Sequence, residues 1–218
     1  LGVRDAAAGR VLEALRAHPL GRGAAMVGRC VGDHQGAVIL DTYAEAFPVW
    51  LSRVIITAAS REWARRAAME ATGFATSRIG CPCEAGIEGY LSPDETPDGR
   101  PGVSILVCSE KKNLKANVAA RVGQCVLTCP TTAVFNHLPE KESDDMIDAG
   151  KSMRFFGDGY QVSKKLEGRR FWRLPVMDGE FLCEDLFGTV KGVAGGNFLI
   201  VGASQAQALA AAEAAALA

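Results

Sequence analysis

Apolar positions along this chain switch between two spacings, and the switches mark its elements. Residues 53–57 (Arg-Val-Ile-Ile-Thr) are a continuous β-branched run, as in a buried strand. Ser60 then stands as a helix cap. Trp63, Ala67 and Ala71 recur at four-residue spacing, with Ala64 and Ala68 beside them. This pattern predicts a helix whose small residues let it lie close against a sheet, stopped at Gly73. Residues 74–79 read as a second strand and 103–108 as a third. Leu114, Val118, Val122 and Cys125 fall at helical spacing, which predicts an amphipathic helix over 110–125 with its lysines outward. Residues 126–128 begin a strand that Pro130-Thr-Thr turns, and 140–148 are polar and exposed. Further strands are read at 153–156, 160–166, 169–174, 187–194 and 197–201; the pair 160–166 and 169–174 forms a hairpin across Glu167-Gly168. Gly195-Gly196 is a bend that a Cβ would hinder, and an alanine-rich helix closes the chain over 203–218.

That order of elements is α+β. It suits a ferredoxin-like antiparallel sheet with helices on one face, here spanning 41–218. Ahead of it, residues 1–40 read as a separate extension: a helix over 4–17 and a hairpin of 26–31 with 37–40, too small to bury a core alone. Its piece His18–Gly28 is similar to the end of a hydrogenase-maturation synthetase, or is a plain N-terminal extension. The start at Leu1 and the unstopped alanine run at 210–218 read as the ends of a fragment.

Composition narrows the classes. With 48% hydrophobic and 22% charged residues the chain folds, and a net charge of −1 argues against a dominant nucleic-acid or anionic-membrane surface. It has no apolar run long enough to span a bilayer and no signal-peptide pattern. Seven cysteines, an odd count, fit reduced thiols and a cytoplasmic setting. Cys81-Pro-Cys83 invites zinc, but the other close pair, Cys125 and Cys129, is split across a helix end, so small buried thiols are the plainer reading and no metal is assigned. His137 is the one histidine of 41–218, which leaves no evident Ser–His or Cys–His pair. No phosphate-binding glycine motif is present.

Three rigid loops remain. Glu95-Thr-Pro-Asp-Gly-Arg-Pro-Gly is either a tight turn closed by an Asp–Arg contact or a lip presenting Arg100 and backbone N–H groups to an anionic ligand. Phe156-Gly-Asp-Gly-Tyr160 and Gly195-Gly-Asn-Phe198 each pair an aromatic with backbone that a ligand can approach closely.

The sequence closely resembles the formylmethanofuran:tetrahydromethanopterin formyltransferase family. The resemblance rests on Asp41-Thr-Tyr-Ala-Glu-Ala-Phe-Pro48, Ala71-Thr-Gly-Phe-Ala-Thr76, Cys83-Glu-Ala-Gly-Ile-Glu88, the Glu95–Val103 loop, Val122–Asn136, Phe155–Tyr160 and Gly195-Gly-Asn-Phe198, in that order. Ser163-Lys-Lys165 and the run 172–181 are similar to the bacterial branch, which works in formaldehyde oxidation. The resemblance implies two ferredoxin-like lobes, a homo-oligomer or a formyltransferase/hydrolase assembly, and no permanently bound cofactor or metal. It implies formyl transfer from methanofuran to N5 of tetrahydromethanopterin, with both carriers as substrates. It also implies that this chain is the N-terminal lobe, that the glutamate used near the formyl group lies in the other lobe, and that strands facing that lobe expose apolar surface. No catalytic residue is therefore carried over. The carrier-contact candidates are Glu95, Asp98, Arg100, Gln124, Thr131, Thr132, Asn136, Asp158, Tyr160 and Asn197. A non-catalytic carrier-binding or assembly lobe is the alternative.

Overall fold

The computed structural model describes residues 47–77, 80–177, 179–194 and 203–217. The expected N-terminal helix and hairpin, the strand at 197–201, the Gly195-Gly196 bend and Asn197 lie outside the described residues. Residues 49–192 form one compact unit; residues 1–48 and 193–218 are grouped as a second. The described part of the second unit is chiefly one helix, α3 (Gln205–Leu217).

The larger unit is built around β1 (Phe47–Thr57), which is longer than the apolar run alone indicates. It is followed by α1 (Arg61–Thr72), β2 (Glu84–Leu91), β3 (Gly102–Ser109), α2 (Lys111–Arg121) and β4 (Ala133–Asn136). These strands lie in the order β2-β3-β1-β4, every neighbouring pair antiparallel. Past β4 the sheet continues through β8 (Gly179–Glu184), β7 (Arg169–Val176) and β6 (Val162–Leu166); the β4–β8 pair is parallel. Off this row, β5 (Asp145–Ile147) pairs with β9 (Phe187–Ala194), which also pairs with β1. The architecture is thus mixed α/β, with a large and mostly antiparallel sheet.

Strand side chains alternate between faces, so one face of each strand meets the helices. Val54 and Ile56 of β1, with Val103, Ile105 and Val107 of β3, are buried there against Ala64, Ala67, Ala68 and Ala71 of α1 and Leu114 and Val118 of α2. The four alanines are fully buried, which is how α1 seats directly on the strands. Its start is as expected: the Ser60 hydroxyl accepts from the Trp63 N–H at 3.3 Å. Its end differs in mechanism. Gly73 is extended (φ −66°), and Phe74 takes the left-handed conformation instead (φ 47°). The Arg121 guanidinium satisfies the terminal carbonyls of Ala71, Gly73 and Phe74.

Several expected elements move. Residues 74–77 are not a strand, and the real second strand is β2, whose Gly86 and Gly89 and two glutamates hide it. The helix over 110–125 ends at Arg121 and continues as a π-helical turn over Val122–Val126. Residues 126–128 belong to that turn and the loop after it; the strand begins at Ala133. Residues 153–156 sit in a 3-10 helix (Gly150–Gly157), whose first residue passes so close to the Glu184 carbonyl that it leaves no room for a Cβ. The 140–148 stretch holds a 3-10 turn and β5. The hairpin of 160–166 with 169–174 is present as β6–β7, turned by Glu167 (φ 50°) and Gly168 (φ 82°).

Candidate functional site

The face of the sheet away from the helices is the candidate site. Ile55, Ala133 and Phe135 form a small second core there, with Leu91, Phe171 and Leu182 packed against it. Phe135 and Phe171 meet edge to face, with centroids 6.2 Å apart. Beside them is a groove of about 370 Å3. Its floor is Phe135, Phe171 and Leu182, and its sides are Pro97 and Asp98 on one hand and Val162, Lys164 and Leu166 on the other. Val162 and Leu166 are each half exposed.

One end of this face is closed by the 95–102 loop. Arg100 Nε donates to Asp98 Oδ2 at 2.8 Å, Nη2 donates to Thr57 Oγ1 at 3.0 Å, and Nη1 donates to the Thr131 carbonyl at 2.6 Å. Thr57 Oγ1 in turn donates to Asp98 Oδ2 at 2.7 Å. Every nitrogen of the guanidinium is thus engaged inside the fold, and the fork ties the loop to the end of β1 and to the 130s loop. Thr131 is left-handed (φ 65°), a costly conformation for a β-branched residue, and its hydroxyl oxygen accepts from the Ala59 N–H at 3.1 Å. The loop is thus a turn closed by the Asp98–Arg100 contact, with Pro97 and Asp98 at the side of the groove and the Arg100 nitrogens turned to partners within the fold.

On the same face, nearer β2, lies a cluster the sequence does not announce. Arg53 Nε donates to Glu88 Oε2 at 2.9 Å and its Nη2 sits 2.8 Å from Oε1. Ser104 Oγ donates to Glu88 Oε2 at 2.7 Å and lies 2.8 Å from His137 Nδ1. With the serine proton given to Glu88, the network assigns the His137 proton to Nδ1 and leaves Nε2 as an acceptor. Burial, then the Arg53 charge, hold the His137 pKa below its ordinary value, against the opposing pull of Glu88 and Glu95. Burial pushes the Glu88 carboxyl up, but its bonds from Arg53 and Ser104 prevail and its pKa stays below the usual range. A neutral, part-exposed imidazole of defined tautomer is able to take up a proton. Residues 88, 104 and 137 are far apart in sequence, and only strand register unites them: Ser104 pairs with Ile55, and Ile55 with Phe135.

The remaining candidates disperse. Glu95 caps its own turn, accepting from the Ser92 N–H and hydroxyl at 2.8 and 2.6 Å. Thr132 is buried and donates to the Val126 carbonyl at 2.6 Å. Asn136 ties strands together: its Oδ1 accepts from the Leu138 and Gly188 N–H groups, and its own N–H donates to Glu184 Oε2. Gln124 is exposed on the π-helical turn. Asp158 is left-handed (φ 49°) and Tyr160 is 79% exposed, both just ahead of β6. None of the hydrogen bonds of the Asp98–Arg100 network reaches Gln124, Asp158 or Tyr160.

Among the described residues no three histidine, cysteine, aspartate or glutamate side chains gather as a metal site. Burial raises the Cys83, Cys125 and Cys129 thiols, pushes Cys108 up to about 11 and raises Cys183 further. These thiols behave as small apolar groups. Among the described cysteines Cys81 alone is lowered, chiefly by a backbone hydrogen bond at Ser77. No helix among the described residues is long and apolar enough to cross a membrane.

Comparison with known proteins gives these features a family. The model of the formylmethanofuran-tetrahydromethanopterin formyltransferase family matches residues 33–176, and the model of that enzyme's proximal lobe matches 179–218. The chain is 54% identical over 181 residues to the formyltransferase of that name from Methanocaldococcus jannaschii and 56% identical to that of Methylococcus capsulatus; each match covers 83% of this chain and 60% of the relative. The chain therefore spans about three fifths of the length of these curated relatives. It also matches the solved formyltransferase of Methanosarcina barkeri (TM-score 0.74, 54% identity, 81% of this chain and 59% of that one). A chain of the Methylorubrum extorquens formyltransferase/hydrolase complex, solved with methylofuran, matches with TM-score 0.74 and 52% identity, covering 80% of this chain and 58% of that one. On this evidence the chain belongs to the formylmethanofuran–tetrahydromethanopterin formyltransferase family.

Proposed function

We propose that this chain serves formyl transfer from formylmethanofuran to N5 of tetrahydromethanopterin, in the formaldehyde-oxidising branch of one-carbon metabolism. The observation that carries the reading is its 54–56% identity, over 181 residues, to curated formyltransferases. The reaction is acyl transfer between two amines. An oxyanion must be stabilised, a proton must reach the leaving amine, and two bulky carriers must be aligned. The open face of the sheet suits the alignment. Its groove is preformed, and Arg100 braces the lip so that it need not be ordered on binding. In this reading Asp98, Arg100 and Thr131 edge the carrier site. Glu95 edges it through its charge, Asp158 and Tyr160 meet the carriers' outer parts, and Asn197 is kept as a carrier contact by the resemblance alone. The carriers are substrates, and no cofactor is held permanently.

The strand order β2-β3-β1-β4, with helices after β1 and β3, supports a ferredoxin-like lobe within 49–192. We further propose a cytoplasmic protein that joins a homo-oligomer or the subunits of a formyltransferase/hydrolase complex. The likeness to a chain of such a complex favours one second reading, a lobe that holds a carrier or assembles without turnover. The test joins residues 33–218 to the rest of the Methylococcus capsulatus relative and assays formyl transfer. Turnover is expected. A folded chimera that binds carrier without transferring formyl would establish the second reading instead.

A further inference from the structure

Formyl transfer assigns no role to Cys81-Pro-Cys83, and no metal cluster among the described residues includes either thiol. The two differ sharply in setting. Cys81 is partly exposed, whereas Cys83 is fully buried. Hydrogen bonding at the Ser77 backbone, aided by Thr76 and the Arg121 charge, holds the Cys81 thiol below its ordinary pKa and so favours its thiolate. Burial raises Cys83, Cys108, Cys125 and Cys129, which therefore remain thiols. Thiolate character and access to solvent thus coincide at Cys81.

The segment is held in a bend. The Cys81 N–H donates to the Ser77 carbonyl at 2.8 Å, and Asn117 Nδ2 donates to the Pro82 carbonyl at 3.1 Å. The chain turns at Cys81 and Pro82, and residues two apart across a bend fall within the Cα separation of roughly 4.4–6.8 Å that a disulfide spans. The two sulfurs already act on each other, since the Cys81 charge is among those that raise Cys83. Cys83 also has a cation at hand: Arg121 Nη2 donates to its Sγ at 3.4 Å. That guanidinium would stabilise the charge forming on Cys83 as its proton leaves. An intramolecular nucleophile so placed needs no standing thiolate.

We propose that Cys81 and Cys83 form a reversible, peroxide-sensitive pair, in which Cys81 is oxidised first and Cys83 resolves it to an intrachain disulfide. The Cys81 thiolate attacks one oxygen of hydrogen peroxide. The O–O bond breaks, a sulfenic acid forms, and the departing hydroxide is protonated to water. The Cys83 sulfur then attacks the Cys81 sulfur, the S–OH bond breaks, and the Cys83 proton leaves with the hydroxyl as a second water. Each sulfur loses one electron, and the peroxide takes both. A bridge over so short a loop is strained, so a dithiol reduces it. In the test, the full chain is treated with one equivalent of hydrogen peroxide, free thiols are alkylated, and tryptic peptides are sequenced by mass spectrometry. The peptide from residue 79 to Lys111 should lose two hydrogens, with Cys81 and Cys83 protected from alkylation and Cys108 alkylated. Dithiothreitol should restore both thiols. Dimedone present during oxidation should label Cys81 and prevent the bridge. Cys81→Ser, at a partly exposed position, should leave Cys83 reduced under the same dose. No oxidation, first oxidation at any other cysteine, a Cys83–Cys108 or interchain bridge, or a Cys83 that still oxidises in Cys81→Ser would overturn the proposal.

Discussion

The two faces of the sheet solve opposite problems. The helix-covered face is nearly uniform, with valine and isoleucine from the strands against four alanines and the apolar stripe of α2. Its residues are specified by size and period. The open face is heterogeneous. A small aromatic core, a guanidinium brace, a Ser–His–Glu cluster and a groove are juxtaposed there by register across β3, β1 and β4. The first face makes the fold possible. The second is where the fold leaves side chains available for chemistry, and most of its polar groups are spent holding that surface in shape.

If the open face is a true second core, Phe135→Ala should cost about 3–5 kcal/mol, as for other buried aromatics, measured by urea denaturation. A loss under about 1 kcal/mol would reduce that face to a loose surface. The complementary change, Ala68→Leu, forces bulk between α1 and the strands. It should cost about 1–3 kcal/mol, whereas tolerance would mean that the alanine contact is not close-packed.

Sequence periodicity explains why one face is the more legible. The cap at Ser60, the alanine stripe, the strand at 103–108, the hairpin at Glu167-Gly168 and the strand at 187–194 are all local patterns, and all are in the structure. β2 is not readable because Gly86 and Gly89 break its propensity, and a bulge between Ile87 and Gly89 breaks its alternation. β8 is likewise hard to read, since Gly179-Glu180 opens it and Glu184 closes it. Residues 153–156 look like a strand by composition but lie in a 3-10 helix that begins where Gly150 passes close over Glu184. The Asp98–Arg100 contact was legible because both lie in one loop. The Ser104–His137 contact was not, since 33 residues separate the pair and no local signal marks either. Thr132 and Asn136 illustrate the converse: polar residues in a conspicuous phrase that bond inward to backbone.

A smaller effect is expected at the brace. Arg100→Lys keeps the charge but loses the fork that reaches Asp98, Thr57 and Thr131 together. It should lower stability by about 1–2 kcal/mol. It should also raise amide exchange at Thr131 more than at Val118 on the covered face. Equal change at both would remove the distinction between the faces.

The smallest effect concerns pH. Because burial and Arg53 depress the His137 pKa, the unfolded chain takes up its proton first as pH falls. Stability from this residue is therefore complete above about pH 6.5 and declines below it. The Glu88 contribution, whose pKa is lowered in the folded state, is lost only at more acid pH, below about 4.3. His137→Asn should flatten the first decline and leave the second. An unchanged profile would show that burial and Arg53 do not depress the imidazole.

The most direct measurement is backbone amide NMR of the 218-residue chain during titration with formylmethanofuran. The account predicts shifts at Ser104, Thr131, Phe135, Lys164 and Phe171 on the open face, with Ala68, Leu114 and Val118 unmoved. Shifts concentrated on the helices, with the groove silent, would contradict it.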